Sequence, residues 1–292
     1  MPRIALATYA GAPDLAPDDR LLIPALARIG IEAAPAVWSD RSVAWRAFDA
    51  VVLRSSWDYH LKYEEFRAWL RTLEHAQVRL WNLPSTIRWN ADKRYLLDLA
   101  RRGVATIPTM IAARGHPEAV ADIAAAEAWH RFVIKPAVSA SGYETYALRR
   151  PLDDGARACI ARVCAIGDVL VQPFADEVAD TGELSLTFFD GTFSHATIKR
   201  ARAGEFRVQT EHGGTVHPTT ADHRLVAQAL DVIRSLDECP LYARVDGIAR
   251  GDAFLVMELE LIEPNVFMTY CPEAADRFAA AIQSRLGLVK PS

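Results

Sequence analysis

Between Leu255 and Asn265 the chain runs as an apolar strand with carboxylates set into it, at Glu258, Glu260 and Glu263. Side chains alternate along a strand, so Glu258 and Glu260 share one face while Leu259 and Leu261 take the other. Two adjacent carboxylates among apolar neighbours repel each other and lose hydration. A fold tolerates them only where positive charge lies between them. A hard divalent cation such as Mg²⁺, bound by oxygen ligands, meets that need. Asp246 adds a third carboxylate upstream, on a strand placed to neighbour Glu258. The plainer alternative is a pair of salt bridges, for example to Arg244 and Lys199. The apolar setting of the glutamate pair favours the metal.

The 292 residues are 51% hydrophobic and 24% charged, with a formal net charge of −4. That suits a globular chain of roughly two domains or several lobes, and lacks the basic excess of a general nucleic-acid binder. No apolar run approaches the roughly 20 residues of a membrane helix. The apolar start, residues 4–7, is too short for a signal peptide, so a cytoplasmic enzyme is expected. Cys159, Cys164, Cys239 and Cys271 form no Cys-x-x-Cys pair, and the histidines lack metal-protease spacing. Neither a structural zinc site nor a disulfide framework is expected.

Strand and helix signals alternate through the first ninety or so residues: strands at 4–9, 31–38 and 50–53, and a helical pattern from Pro17 that stops at Gly30. Such alternation builds a parallel sheet with helices on its faces, and ligands approach the carboxyl ends of its strands. Arg54, Ser55, Trp57, Asp58 and Tyr59 follow the third strand directly. They are candidates for substrate recognition, with arginine suited to a carboxylate and aspartate to an ammonium. Helices are expected over 64–75, 90–102 and most of 116–131, the second placing Lys93 in its first turn. Strands then dominate, at 132–136, 145–148, 169–173, 184–189 and 193–199, with Asp190-Gly191 as a hairpin turn. A helix over 224–236, strands over 242–248 and 253–262, and a helix over 273–285 close the chain.

Several basic residues invite a phosphate reading. Lys135 ends an apolar strand, and the small-residue loop after it, with Ser141 and Gly142, can bring N–H groups and hydroxyls close to phosphate oxygens. A plain hairpin with a snorkelling lysine explains the same residues equally well. Lys93 taken alone reads as a surface lysine. Lys199 and Arg207, near Gly213 and Gly214, suit either a clamp on a transferring phosphoryl group or a solvated basic loop. Glu177 and Glu183 flank a turn over 175–182, where each can meet a ribose or a basic side chain or simply be exposed.

Taken in order, these residues resemble the ATP-grasp superfamily. The resemblance runs through Lys93, Ile134-Lys135-Pro136 with its loop, Val171-Gln172-Pro173-Phe174, and Gly182-Glu183-Leu184-Ser185. It continues through Phe206-Arg207 with Gly213-Gly214, then Asp246, then Glu258-Leu259-Glu260 with Pro264. Segments 54–59, 90–97 and 257–264 are similar to the group containing the cycloserine-biosynthesis ligase, which cyclises O-ureido-serine. The resemblance implies an α/β and α+β chain. A parallel α/β substrate domain over 1–90 resembles that of glutathione synthetase-like members, and two α+β lobes, over 91–173 and 174–292, enclose the nucleotide.

It also implies roles. Lys93 and Lys135, with Ser141 and Gly142, would contact phosphates. Gln172 and Phe174 would line the adenine pocket and Glu177 would meet the ribose. Lys199, Arg207 and Arg244 would act on the transferring phosphoryl and acyl groups. Asp246, Glu258 and Glu260 would bind two Mg²⁺ ions, with Mn²⁺ able to stand in. The superfamily pattern is Glu-x-Asn, so Glu260 is an extra charge in the asparagine's place, and the roles of Glu258, Glu260 and Glu263 stay open. The expected substrate is a small-molecule carboxylate, an amino-acid derivative, with no nucleic-acid or membrane partner. A homodimer is in keeping with the superfamily.

The implied reaction is ATP-dependent carboxylate activation to an acylphosphate, followed by attack of a nitrogen nucleophile from a second molecule or from the same one. Two alternatives stay open: a kinase that stops at phosphoryl transfer, and a nucleotide-binding module without catalysis.

Overall fold

The computed structural model describes residues 1–287, which form three sheets. The first lobe contains β1 (Arg3–Thr8), α1 (Pro17–Arg20), α2 (Leu22–Arg28), β2 (Glu32–Val37), β3 (Ala50–Leu53), α3 (Tyr63–His75) and β4 (Leu80–Trp81). Its strands pair in parallel in the order β2-β1-β3-β4. The third strand, Ala50 to Leu53, is buried throughout, as a strand covered on both faces must be. On one face α3 buries Phe66, Trp69, Leu70 and Leu73, with Trp38 edge-on to Phe66 at 5.4 Å between ring centroids.

Two short helices follow, α4 (Pro84–Asn90) and α5 (Tyr95–Arg101). The single helix expected over 90–102 is thus broken, and Lys93 lies in the turn between the pieces, its N–H donating to the Ala137 carbonyl at 2.8 Å.

The central lobe contains β5 (Met110–Ala112), α6 (Pro117–Ala126), β6 (Arg131–Pro136), β7 (Tyr146–Arg149), α7 (Asp154–Ile166) and β8 (Val169–Pro173). Its antiparallel sheet has the order β5-β8-β6-β7. Helix α7 goes beyond the sequence expectation. Asp153 caps it by accepting from the Ala156 N–H at 2.7 Å, and Ile160, Val163 and Cys164 enter the core.

The third lobe contains α8 (Glu177–Asp180), β9 (Glu183–Phe189), β10 (Thr192–Arg200), β11 (Thr215–Thr219), α9 (His223–Arg234), β12 (Tyr242–Arg250) and β13 (Ala253–Glu260). This antiparallel sheet has the order β11-β10-β9-β12-β13. Asp190 and Gly191 turn the β9–β10 hairpin with φ of 48° and 72°, the left-handed pair that a two-residue turn requires.

The last helix, α10 (Ala274–Arg285), returns to the first lobe. Its Phe278 and Ile282 join Ile4, Leu6, Leu22 and Leu26 in one core, and Phe278 stacks on Phe189 at 4.5 Å. The final segment therefore serves two lobes, not the third alone.

No helix among the described residues is long and apolar enough to cross a membrane.

Candidate active site

The strand register gathers the charged residues on one face of the third-lobe sheet. Asp246 pairs with Glu258 and Arg244 with Glu260 across β12 and β13, while Glu183 pairs with Lys199 across β9 and β10. The acidic strand is an edge strand, but side chains from upstream close its outer edge. Asn90 donates to the Leu259 carbonyl at 2.8 Å and accepts from the Leu261 N–H at 2.9 Å. The Tyr95 hydroxyl accepts from the Leu259 N–H at 2.9 Å, and Asn82 bonds Leu241, Tyr242 and Leu261 backbone groups. These amides replace a neighbouring strand, satisfying backbone groups that burial would otherwise leave unpaired. In the sequence Asn90 stands out only as the start of the 90–97 segment and Asn82 not at all, because the partner strand lies about 160 to 180 residues downstream.

A cavity of about 520 Å³ opens between the lobes. Its inner end is lined by Ile107, Val133, Gln172, Phe174, Val178 and Met257, an apolar slot with one amide. Gln172 is held there by its Nε2 donating to Thr109 Oγ1 at 2.9 Å. Lys93, Lys135, Lys199, Arg207, Arg244, Glu258 and Glu260 line the floor, with Ser141 and Gly142 on the facing loop. Trp57, Tyr59 and Glu263 line the end nearest the first lobe. Gly142, at φ +68°, sits so near His212 and Gln209 that a Cβ there would lie 3.2 Å from His212 Nε2 and 3.3 Å from Gln209 Oε1. Glycine lets the two loops approach at this point.

The floor is a network of paired charges. Lys93 binds Glu258, Lys199 binds Glu183 at 2.5 Å and Asp246 at 2.8 Å, and Arg244 binds Asp246 at 2.7 Å and also Glu260. Burial pushes Glu258 upward, but Lys93 and Lys135 outweigh it and hold the carboxyl at about 2. For Glu260 burial wins: helped by Asp246 and Glu258 against the pull of Arg244, it raises that carboxyl to about 7. Lys135 has no ionic partner among the described residues, and burial lowers its ammonium below the usual range.

Several residues expected to touch ligands do something else. Arg54 is fully buried; it pairs with Asp19 at 2.9 Å, donates to the Pro264 carbonyl at 2.5 Å and packs on the Tyr242 and Phe278 rings. Ser55 donates to Asp19 at 2.6 Å, and Asp58 is taken by Trp38 Nε1 at 2.7 Å and by Lys62 at 2.9 Å. None of these three is on the cavity wall, so of the 54–59 cluster only Trp57 and Tyr59 face it. Glu177 also lies off the wall and pairs with Arg250 at 2.6 Å. Asp246 is enclosed by Lys199 and Arg244 behind the floor. Accordingly, among the described residues no three carboxylate, histidine or cysteine side chains form a ready metal cage. On the cavity-facing side of the acidic strand are Glu258 and Glu260, whose side chains are 26% and 25% exposed. Two carboxylates, completed by phosphate oxygens and water, are a donor set that suits Mg²⁺.

Glu263 was the least defined of the acidic residues in sequence. Burial first, and then the charge of Glu260, raises its carboxyl from the usual 4.5 to about 8. The folded state thus keeps a proton that the unfolded chain releases. Its contribution to stability is present below the ordinary value and is lost as pH rises through the window up to about 8. Ligand-free protein should melt at lower temperature at pH 8.5 than at pH 5, and Glu263→Gln should flatten that difference. Equal slopes for the two proteins would remove this account.

Three lobes thus meet around a cavity whose floor carries opposed lysines and glutamates. Residues 4–82 match the family described as D-cycloserine synthetase DcsG, N-terminal domain. Over 302 aligned residues the chain is 35% identical to the cycloserine biosynthesis protein DcsG of Streptomyces lavendulae, covering 97% of this chain and 98% of that protein. The crystal structure of D-cycloserine synthetase DcsG superposes with a TM-score of 0.89 at 34% identity, covering 97% of this chain and 99% of that one. A D-alanine–D-alanine ligase from Bacillus anthracis, complexed with ATP, shares the fold at a TM-score of 0.67 and 15% identity, covering 99% of this chain and 98% of that one. The chain belongs to the DcsG family of ATP-grasp ligases.

Proposed function

We propose that this enzyme uses ATP and Mg²⁺ to activate the carboxylate of a small amino-acid derivative as an acylphosphate. A nitrogen of the same molecule then attacks the acyl carbon and closes a ring as phosphate leaves, ADP having been released from ATP in the first step, with an O-ureido-serine-like compound as the favoured substrate. The supporting observation is the floor itself: basic groups crowd one cavity with the two partly exposed carboxylates of Glu258 and Glu260, while Lys135 lacks an ionic partner among the described residues. Lys135 and Lys93 would meet nucleotide phosphates, and the slot between Phe174 and Met257 would take the base. Glu258 and Glu260 would hold Mg²⁺, and we carry two ions into the proposal because each residue offers the cavity a separate carboxylate. Bound there, the metal would offset the repulsion between phosphate and the attacking carboxylate. Lys199, Arg207 and Arg244 would steady the charge that develops on the transferring group. The loop carrying Ser141 and Gly142 would keep water from the acylphosphate. The division at about residues 90 and 173 belongs to the same proposal, as a substrate domain followed by two nucleotide-enclosing lobes.

The test is ADP release across a panel of amino acids and their ureido and aminooxy derivatives, with mass analysis of products. Substrate-dependent ADP release with a cyclised or amide product is expected. A stable phosphorylated product would convert the reading to a kinase. ATP binding without turnover of any compound would convert it to a binding module.

A further inference from the structure

We infer that Glu263 receives the cationic ammonium of the substrate and thereby orients the substrate carboxylate toward the basic floor. This rests on the ligase reading above and names the group that distinguishes its substrate class. The buried carboxylates of the floor are already matched: Glu183 by Lys199, Asp246 by Lys199 and Arg244, Glu258 by Lys93, Glu260 by Arg244. Glu263 faces the same cavity and has no ionic partner among the described residues. A charged carboxylate in a half-buried position without a cation is costly, which is why the ligand-free protein keeps Glu263 protonated; an arriving ammonium supplies the missing cation and favours the charged form, the proton passing to solvent.

Position supports the same conclusion. Glu263 lies just beyond the acidic strand, at the end of the cavity walled by the first lobe. Its backbone is fixed on both sides: Trp57 Nε1 donates to its carbonyl at 3.2 Å, and Arg54 donates to the next carbonyl, of Pro264, at 2.5 Å. Trp57, Tyr59 and Phe267 line the same region, and aromatic faces favour a neighbouring cation. Tyr59 is under Glu263's influence: burial, and then the charge of Glu263, raise its hydroxyl well above the usual range. A zwitterionic substrate would place its carboxylate toward Arg244 and Lys199 and its ammonium toward Glu263, because Asp18, another carboxylate on the cavity wall, already accepts from the Met268 and Thr269 N–H groups and the Thr269 hydroxyl. The role that the sequence suggested for Asp58 passes to a residue about 200 positions later, because Asp58 is already bound to Trp38 and Lys62.

The experiment compares wild type, Glu263→Gln and Glu263→Asp on an accepted amino-acid substrate and on its N-acetyl analogue. Thermal melts establish that each variant is folded. For Glu263→Gln the substrate KM should rise about 10–100-fold, the loss expected for a charge-assisted hydrogen bond. The KM for ATP and the Mg²⁺ dependence should stay near wild type. Glu263→Asp should recover part of the loss, and the wild type's discrimination against the N-acetyl analogue should shrink in Glu263→Gln. An unchanged substrate KM, or a shift confined to Mg²⁺ dependence, overturns the assignment. Wild-type turnover of the N-acetyl analogue at the rate of the free amine overturns it too, with the ligase reading still standing. If wild type releases no ADP with any ammonium-bearing carboxylate, the ligase reading itself fails.

Discussion

Replacing Arg54 with alanine should cost about 3–5 kcal/mol of stability, because it leaves Asp19 buried without its counter-charge. Asp19 is almost fully buried, and burial already raises its carboxyl even with Arg54 present. The guanidinium also packs between the Tyr242 and Phe278 rings, at 5.0 and 5.4 Å from their centroids. Chemical denaturation measures the loss. Arg54→Met with Asp19→Leu should recover much of it, since an apolar pair removes the stranded charge together with its partner. The rival reading, in which Arg54 grips substrate, makes the opposite demand: stability intact and the KM for the carboxylate raised. That pair of results would return Arg54 to the binding site.

The second large effect is expected from Glu258→Gln, which keeps the shape of the side chain and removes its charge. Turnover should fall by about 10³-fold, the scale on which preorganised electrostatic groups contribute. Lys93 and Lys135 keep Glu258 ionised across the working pH range, so its charge is a fixed part of the site and not a titrating one. Circular dichroism should show an intact fold, although Lys93 loses its partner. Near-normal rates at saturating Mg²⁺ would mean that the metal and phosphate end of the site has been misplaced.

These two residues show what a single sequence reveals and what it hides. Glu258 was legible because the alternation from Glu258 to Leu261 gives both burial and facing, although a bulge at Met257 breaks the pattern just before it. The Asp190-Gly191 hairpin was legible locally too. Arg54 was misread because its partner, Asp19, comes 35 residues earlier, on a helix whose packing no local pattern records. Lys93 looked like a surface lysine for the same reason, since Glu258 lies 165 residues away. Helix α7 escaped notice because its apolar face is narrow, Ile160 with Val163 and Cys164 among alanines and arginines. Polar residues do follow the third parallel strand. At such a strand end, however, the polar side chains can be holding the loop instead of meeting the ligand, as Ser55 and Asp58 do.

The return of α10 to the first sheet has a consequence for synthesis on the ribosome. Residues 4–82 carry four strands of a complete sheet, yet one face of that sheet closes only when Phe278 and Ile282 arrive. At about 5–20 residues per second, the roughly 200 intervening residues take about 10–40 s to emerge. Throughout that interval Ile4, Leu6, Leu22 and Leu26 lack part of their cover. The nascent first lobe thus carries exposed apolar surface until α10 has emerged. Stop codons shortly before Ala274 would yield a chain that has every active-site residue and an apolar wound at its opposite end.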